Sequence, residues 1–396
     1  MKIIFITSGL FTVPCVEGGA VETLLQNFIN CNEIYGEAEV TVACKYNKRA
    51  KELSNKYKKT KFLYYSKWNE NKILRLFMII LYRLAGLIGI SIPKYVYSWQ
   101  VFKLAKKENF DFFIIEEGDC FSFDYFAEYF GKNKMISHTH SSWPMNDKFA
   151  SIYGGAFVPS EFTKKTLIDG KYNYYDKYMG IVKNCVDPAM FANVSFEQVN
   201  QLKKQYNLHS DDFVILFVGR IVKDKGVEEL IKAVKGENKY KLIIVGSALL
   251  SKKTNSPYER RISELIHENE NVIQVGYVPY ENLKEYYALS NLVVTPSYAK
   301  DSACMVNIEA MVMGKAIIST NDAGIPEYVT NGRNAILVEL DSLEEDLKRS
   351  LKMLYENQSI LRDMENANRE DCIKFYPDVY YRDIINYLTW LKDEHI

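Results

Sequence analysis

Neither sign of charge prevails in this chain: 50 Lys and Arg balance 50 Asp and Glu over 396 residues. A globally basic face for nucleic acid, or an acidic one for basic partners, is therefore not the organising feature. The cysteines (Cys15, Cys31, Cys44, Cys120, Cys185, Cys304 and Cys372) are odd in number and form no C-x-x-C pair. That argues against a disulfide framework or a cysteine zinc site and fits reduced thiols in a cytoplasmic protein. There is no short repeat period and no low-complexity tract. The opening Met-Lys-Ile-Ile-Phe-Ile run is too short for the apolar core of a signal peptide and reads as a first buried strand. One apolar stretch, 73–92, has membrane-spanning length, but Arg75 and Arg83 interrupt it and Gly86 and Gly89 weaken it as a helix. Two readings remain for it. It packs on a domain core, or it lies on a membrane surface flanked by Lys61, Lys67, Lys72, Lys94 and by Tyr and Trp residues.

What is present is a globular composition, 47% hydrophobic and 25% charged, in a chain long enough for two domains. Short apolar runs alternate with longer helix-patterned stretches. Candidate strands fall at 3–8, 39–44, 61–65, 112–116, 134–139, 156–159 and 180–183, then at 213–218, 241–245, 272–275, 292–295, 316–319 and 335–338. Strands alternating with helices predict right-handed βαβ units and parallel sheets, with a boundary near Asp187. In such sheets ligands sit beyond the carboxyl ends of the strands. Two domains of this kind facing each other would enclose a cleft.

The chemically suggestive residues follow strands. Gly18 and Gly19, in Glu17-Gly-Gly-Ala-Val-Glu22, lead into a helix expected to run to about residue 30. Glycines there allow close backbone approach, and a helix start favours an anion; an ordinary turn is the plainer alternative. The absence of G-x-G-x-x-G weakens a dinucleotide reading. Gly219-Arg220 and Lys225-Gly226 place two cations five residues apart after a strand, suited to phosphate oxygens or else simply solvated. His138 and His140 end an apolar strand on one face. With no third ligand of the usual kind in the neighbouring sequence, a hydrogen bond to a sugar hydroxyl or a structural role is favoured over a metal. In Asp301-Ser-Ala-Cys-Met-Val-Asn-Ile-Glu309, two carboxylates stand eight residues apart with a helix beginning between them. Glu309 alone reads as a surface acid near a helix start. Beside Asp301 and the glycine loops it reads as a ligand to vicinal hydroxyls.

These segments resemble the family-4 retaining glycosyltransferases. The motifs that carry the resemblance are Phe217-Val-Gly-Arg-Ile-Val-Lys-Asp-Lys-Gly226, Thr295-Pro-Ser297, the spaced carboxylates, and Gly324-Ile-Pro-Glu327. In the first half Gly18-Gly19, His138-Thr-His140, Val158-Pro-Ser160 and Val182-Lys-Asn-Cys-Val-Asp187 also look like family positions. The resemblance implies a GT-B fold of two Rossmann-like, doubly wound parallel-sheet domains facing a central cleft. It implies an acceptor domain at 1–186, a nucleotide-sugar domain at 187–375, and a helix at 376–396 crossing back to the first. It implies transfer of a hexosyl unit from a nucleotide-diphosphate sugar, with retention, no metal and no other cofactor. UDP-sugars are favoured over GDP-mannose, and the acceptor would be a glycan or lipid-linked saccharide of the cell surface. Arg220 and Lys225 would stabilise the departing diphosphate. Asp301 would bind donor sugar hydroxyls, Glu309 the ribose hydroxyls, and His140 the substrate. Gly18, Gly19, Gly219, Cys304, Met305 and Val306 would line the donor. Asp301 and Cys304 depart from the usual Glu and Gly. A peripheral contact of 61–103 with the inner face of the cell membrane would suit a lipid-borne acceptor. The alternatives are a non-catalytic GT-B-like partner or glycan-binding subunit and a sugar-nucleotide epimerase.

Overall fold

The computed structural model describes the whole chain except residues 10, 17, 66–70, 91, 118–122, 169, 248–255 and 395–396. Glu17, Lys67 and Cys120, singled out above, lie outside the described residues. The chain divides into two compact units. One comprises Met1–Cys185 with the C-terminal stretch from Pro377, the other Val186–Tyr376.

The first unit is built on β1 (Lys2–Ile6), β2 (Glu39–Lys45), β3 (Thr60–Tyr65), β4 (Phe112–Glu116), β5 (Met135–His138), β6 (Gly155–Val158) and β7 (Met179–Ile181). They form one sheet in the order β3-β2-β1-β4-β5-β6-β7. The second unit carries β8 (Phe213–Val218), β9 (Tyr240–Val245), β10 (Val272–Gly276), β11 (Leu292–Thr295), β12 (Ala316–Thr320) and β13 (Ile336–Val338). Their order is β10-β9-β8-β11-β12-β13. Each of the thirteen expected strands has its counterpart, and neighbouring strands run parallel. The reason is visible in β8: Phe-Val-Ile-Leu-Phe-Val has no polar residue because helices cover both faces of the sheet.

Strand order reverses at two places, between β1 and β4 and between β8 and β11. Connections leave in opposite directions there and open a crevice at the carboxyl ends. The residues of interest gather at both.

Three local features bear on these expectations. The first helix runs over Ala20–Tyr35, five residues past the anticipated end, until Gly36 turns left-handed and bonds the Asn32 carbonyl. The helix Lys72–Leu87 contains no buried residue, but Leu74, Met78, Ile79, Leu81, Tyr82 and Ala85 are half-buried and Lys148 Nζ donates to the Tyr82 hydroxyl at 2.7 Å, so it rests on its unit by one flank only. Glu309 lies not at the start of its helix but in its second turn, because Met305–Val312 begins directly after Cys304. Among the described residues no helix is long and apolar enough to cross a membrane.

In the first unit the helix Pro377–Glu394 packs on Ala20–Tyr35. The ring of Tyr381, fully buried, lies 5.0 Å from that of Phe28, and its hydroxyl donates to Asn32 Oδ1 at 3.0 Å.

Candidate functional site

In the second unit the site grows out of the β8–β11 crevice. After β8 the chain turns through Gly219, Arg220 and the single turn Lys223–Lys225, then Gly226 enters the next helix with φ 65°. A Cβ at Gly226 would strike the Pro296 carbonyl, so glycine is required for the β8 and β11 loops to lie together. That approach brings Lys225 to Asp301, 76 positions away in sequence. The Lys225 ammonium donates to both carboxylate oxygens, at 2.8 and 2.9 Å, and to Ser297 Oγ at 3.3 Å. Both side chains keep about a fifth of their surface. The pair is therefore reachable from solvent and by a ligand. Arg220 is exposed, and among the described residues no ion pair engages it. The Gly219 amide bonds the Val245 carbonyl at 3.0 Å, so its backbone is fixed by the neighbouring strand.

The loop after Asp301 is held from below. Asp301 O accepts from the Gly324 amide at 3.0 Å, tying in the Gly324-Ile-Pro-Glu327 segment. Thr295 Oγ1 donates to Asn307 Oδ1 at 2.8 Å and approaches Ser319 Oγ at 2.7 Å, while Asn307 Nδ2 donates to Ser319 at 3.0 Å. This buried polar knot pins the helix Met305–Val312 to β11 and β12. Met305 and Val306 open that helix, and no side chain caps it. Its start thus presents backbone amides and a favourable dipole end to an anion. Cys304, just before, is buried. Burial first and the nearby Asp301 charge second push its thiol to about 12, which removes it as a nucleophile at neutral pH.

Glu309 is not a surface acid. It is 5% exposed and accepts from the Tyr287 hydroxyl at 2.5 Å. Burial raises its carboxyl to about 7, against the opposing hydrogen bonds of Tyr287 and Tyr280. Asp301 and Glu309 therefore occupy different surroundings, one ion-paired, the other held by tyrosine.

In the first unit a second cluster stands at the β1–β4 crevice. Register places Glu116 beside His138 on adjacent strands. Glu116 Oε2 lies 2.9 Å from His138 Nδ1 and 2.9 Å from His140 Nε2. The contact with His140 is a hydrogen bond, whereas His138 Nδ1 and Glu116 Oε1 are buried without one. Burial works to raise the Glu116 carboxyl, but the two imidazoles outweigh it and keep it ionised. Burial pushes His138 down to about 4, while Glu116 overcomes burial at His140 and raises it. The ligand-type atoms of Glu116, His138 and His140 lie within 4.8 Å of one another. The expectation that the histidines have no third ligand-type neighbour is thus overturned. Gly19 precedes the first helix at φ 114°, and a Cβ there would meet the Glu22 carboxylate. Glu22 is itself buried and raised to about 7, by burial first, with the Glu116 charge adding. Gly18, also left-handed at φ 86°, has open space around it.

Sequence reasoning missed Glu116, Glu22, Tyr287 and the Thr295–Asn307–Ser319 knot. Glu116 had a signal: it is the acidic end of the otherwise apolar strand Phe-Phe-Ile-Ile-Glu.

The fold is GT-B. A glycosyltransferase from Rickettsia africae superposes with a TM-score of 0.77 over 98% of both chains at 17% identity. Anabaena HepE, solved with UDP-glucose, gives 0.72 over 98% of this chain and 100% of its own, also at 17%. Residues 198–371, most of the second unit, match the family model described as Glycosyl transferases group 1. Among curated proteins, a lipopolysaccharide 1,2-N-acetylglucosaminetransferase of Salmonella typhimurium is 28% identical over 232 residues, 55% of this chain and 58% of its own. A capsular polysaccharide biosynthesis glycosyltransferase of Staphylococcus aureus is 30% identical over 203 residues, 49% and 51%. The chain thus spans about half the length of the curated relatives it matches.

Proposed function

We propose that this protein is a retaining glycosyltransferase. In this reading it moves a hexosyl unit from a nucleotide-diphosphate sugar, UDP-linked in preference to GDP-mannose, to a glycan or lipid-linked saccharide in cell-surface polysaccharide synthesis. It needs no metal and works in the cytoplasm, peripherally at the membrane. The observation that carries the reading is the partly exposed Lys225–Asp301 pair in the β8–β11 crevice, beside an uncapped helix start. A diphosphate entering there meets Lys225, Arg220 and the Met305 and Val306 amides. Asp301, released from its bond to Lys225, can accept from sugar hydroxyls. The glycosidic bond forms from an acceptor hydroxyl oxygen to the anomeric carbon as the bond from that carbon to the phosphate oxygen breaks. The acceptor proton leaves with the diphosphate, so no enzyme nucleophile is required. The cations lower the barrier by stabilising charge that grows on the leaving oxygen. Glu309 binds ribose hydroxyls only by giving up or sharing its tyrosine bond, which makes it the site's most constrained member. His140, held by its hydrogen bond to Glu116, is placed to bond a substrate oxygen. The relatives in lipopolysaccharide and capsule synthesis support the substrate class.

A donor panel of UDP- and GDP-sugars, with and without lipid-linked acceptor and read by mass spectrometry, tests this directly. Transfer or slow hydrolysis of a UDP-hexose, unchanged by a chelator, is expected. Neither binding nor turnover of any donor would leave the non-catalytic glycan-binding alternative standing.

A further inference from the structure

The helix Lys72–Leu87 inverts the usual placement of apolar side chains. Ile73, Leu76, Phe77, Ile80, Leu84 and Leu87 recur at three- and four-residue intervals and share one face. That face is exposed, and Ile73 and Leu87 each keep 82% of their surface. Scattered surface apolar residues are ordinary, but a continuous stripe four turns long is not. Charge follows the same segment. Between residues 71 and 107 there is no Asp or Glu and there are seven Lys and Arg, in a chain whose charges balance over its whole length. Cations also sit over the aromatic rings here, with Lys103 Nζ 3.5 Å from the centroid of Trp99 and Lys94 Nζ 5.2 Å from that of Tyr95. Basic residues paired with aromatic rings suit the boundary between acyl chains and headgroups.

The adjoining flank of the helix opens on a groove of about 610 Å³ whose walls include Leu74, Met78, Ile92, Pro93, Val96 and Trp99. That volume is in the range of small-molecule sites, and its lining offers almost nothing to hydrogen-bond. A single hydrocarbon chain meets both conditions.

We propose that this element docks on an anionic lipid surface, with the exposed stripe among the acyl chains and one lipid tail entering the groove beside Trp99. The docking deepens the transferase reading, on which it rests for its purpose, by bringing the first unit to a lipid-borne acceptor. A second copy of the chain is a poorer occupant. A two-fold interface through this face would set like charges against like.

The test uses the full chain carrying Trp68→Phe, Trp143→Phe and Trp390→Phe, so that Trp99 alone reports. Vesicles of phosphatidylcholine, with or without phosphatidylglycerol and with or without mid-chain bromine, are the probes. Sedimentation with the anionic vesicles and strong quenching by brominated chains are expected. Phe77→Glu with Leu84→Glu should abolish sedimentation without lowering Tm, because the helix has no buried residue. Arg75→Gln should weaken it about fivefold. Met78→Glu should reduce the quenching. Failure to bind anionic vesicles overturns the proposal, and binding without bromine quenching overturns the tail in the groove. A dimer that Phe77→Glu dissociates overturns the lipid as occupant. Nucleotide-sugar binding is measured on the same samples. Intact binding there with no vesicle binding sinks the docking alone, and the reverse sinks the transferase reading alone.

Discussion

The two crevices are built by the same topological device yet hold charge in opposite ways. At β1–β4, Glu116 is sealed between two imidazoles, and Glu22 is buried close by. At β8–β11, Asp301 and Lys225 face each other with a fifth of each side chain in solvent. A buried carboxylate stripped of one partner cannot recover the loss from water, so the first cluster is committed to its own neighbours. A pair that still reaches solvent is worth little by itself and can be traded for a ligand at small cost. The first arrangement is suited to fixing the state of a side chain, and the second to exchanging partners with an anion.

That contrast is broken or sharpened by four measurements. Glu116→Ala should cost about 3–5 kcal/mol in denaturant unfolding; a loss below about 1 kcal/mol would mean the cluster is solvated after all. Lys225→Ala should lower turnover on the order of 10²–10³-fold with little change in Tm, since its charge acts on the leaving group. The third measurement is pH. Glu22 and Glu309 are both raised from about 4.5 to about 7, by burial above all. A carboxyl raised by folding contributes stability that is full below its unfolded value and lost as pH climbs through the folded one. Each should cost about 3 kcal/mol between pH 4.5 and 8. Glu309→Gln, which can still accept from Tyr287, should remove about half of that slope; an unaltered slope would place the titration elsewhere. The smallest effect belongs to Asp301→Asn, which should change unfolding free energy by less than about 1 kcal/mol while weakening nucleotide-sugar binding in calorimetry.

The sheets were legible because a strand covered on both faces must be apolar throughout. Runs such as Leu-Ile-Ile-Val and Phe-Val-Ile-Leu-Phe-Val announce themselves. The loops that follow them were legible for the same reason. The pairings between loops were not. Nothing local to Lys225 points to a carboxylate 76 positions on, nor does anything at Glu309 point to Tyr287. Glu309 was misjudged as lying near its helix start because helix entry depended on Cys304, a residue with no capping side chain. The helix Lys72–Leu87 could not be assigned to core or surface because an apolar face opposite Lys72, Arg75 and Arg83 reads the same against a core as against a lipid surface.

The return of the chain to its first unit has a consequence for biosynthesis. Tyr381 fills the space against Phe28 and Asn32, and Lys392 pairs with Asp111 at 2.9 Å. Those contacts join the last twenty residues to elements made hundreds of residues earlier. During translation Val186–Tyr376 is a contiguous segment, complete before the unit that precedes it. Domains fold as units while the chain emerges. The second unit is thus the first able to finish, and the N-terminal one must wait until the helix Pro377–Glu394 has emerged from the ribosome.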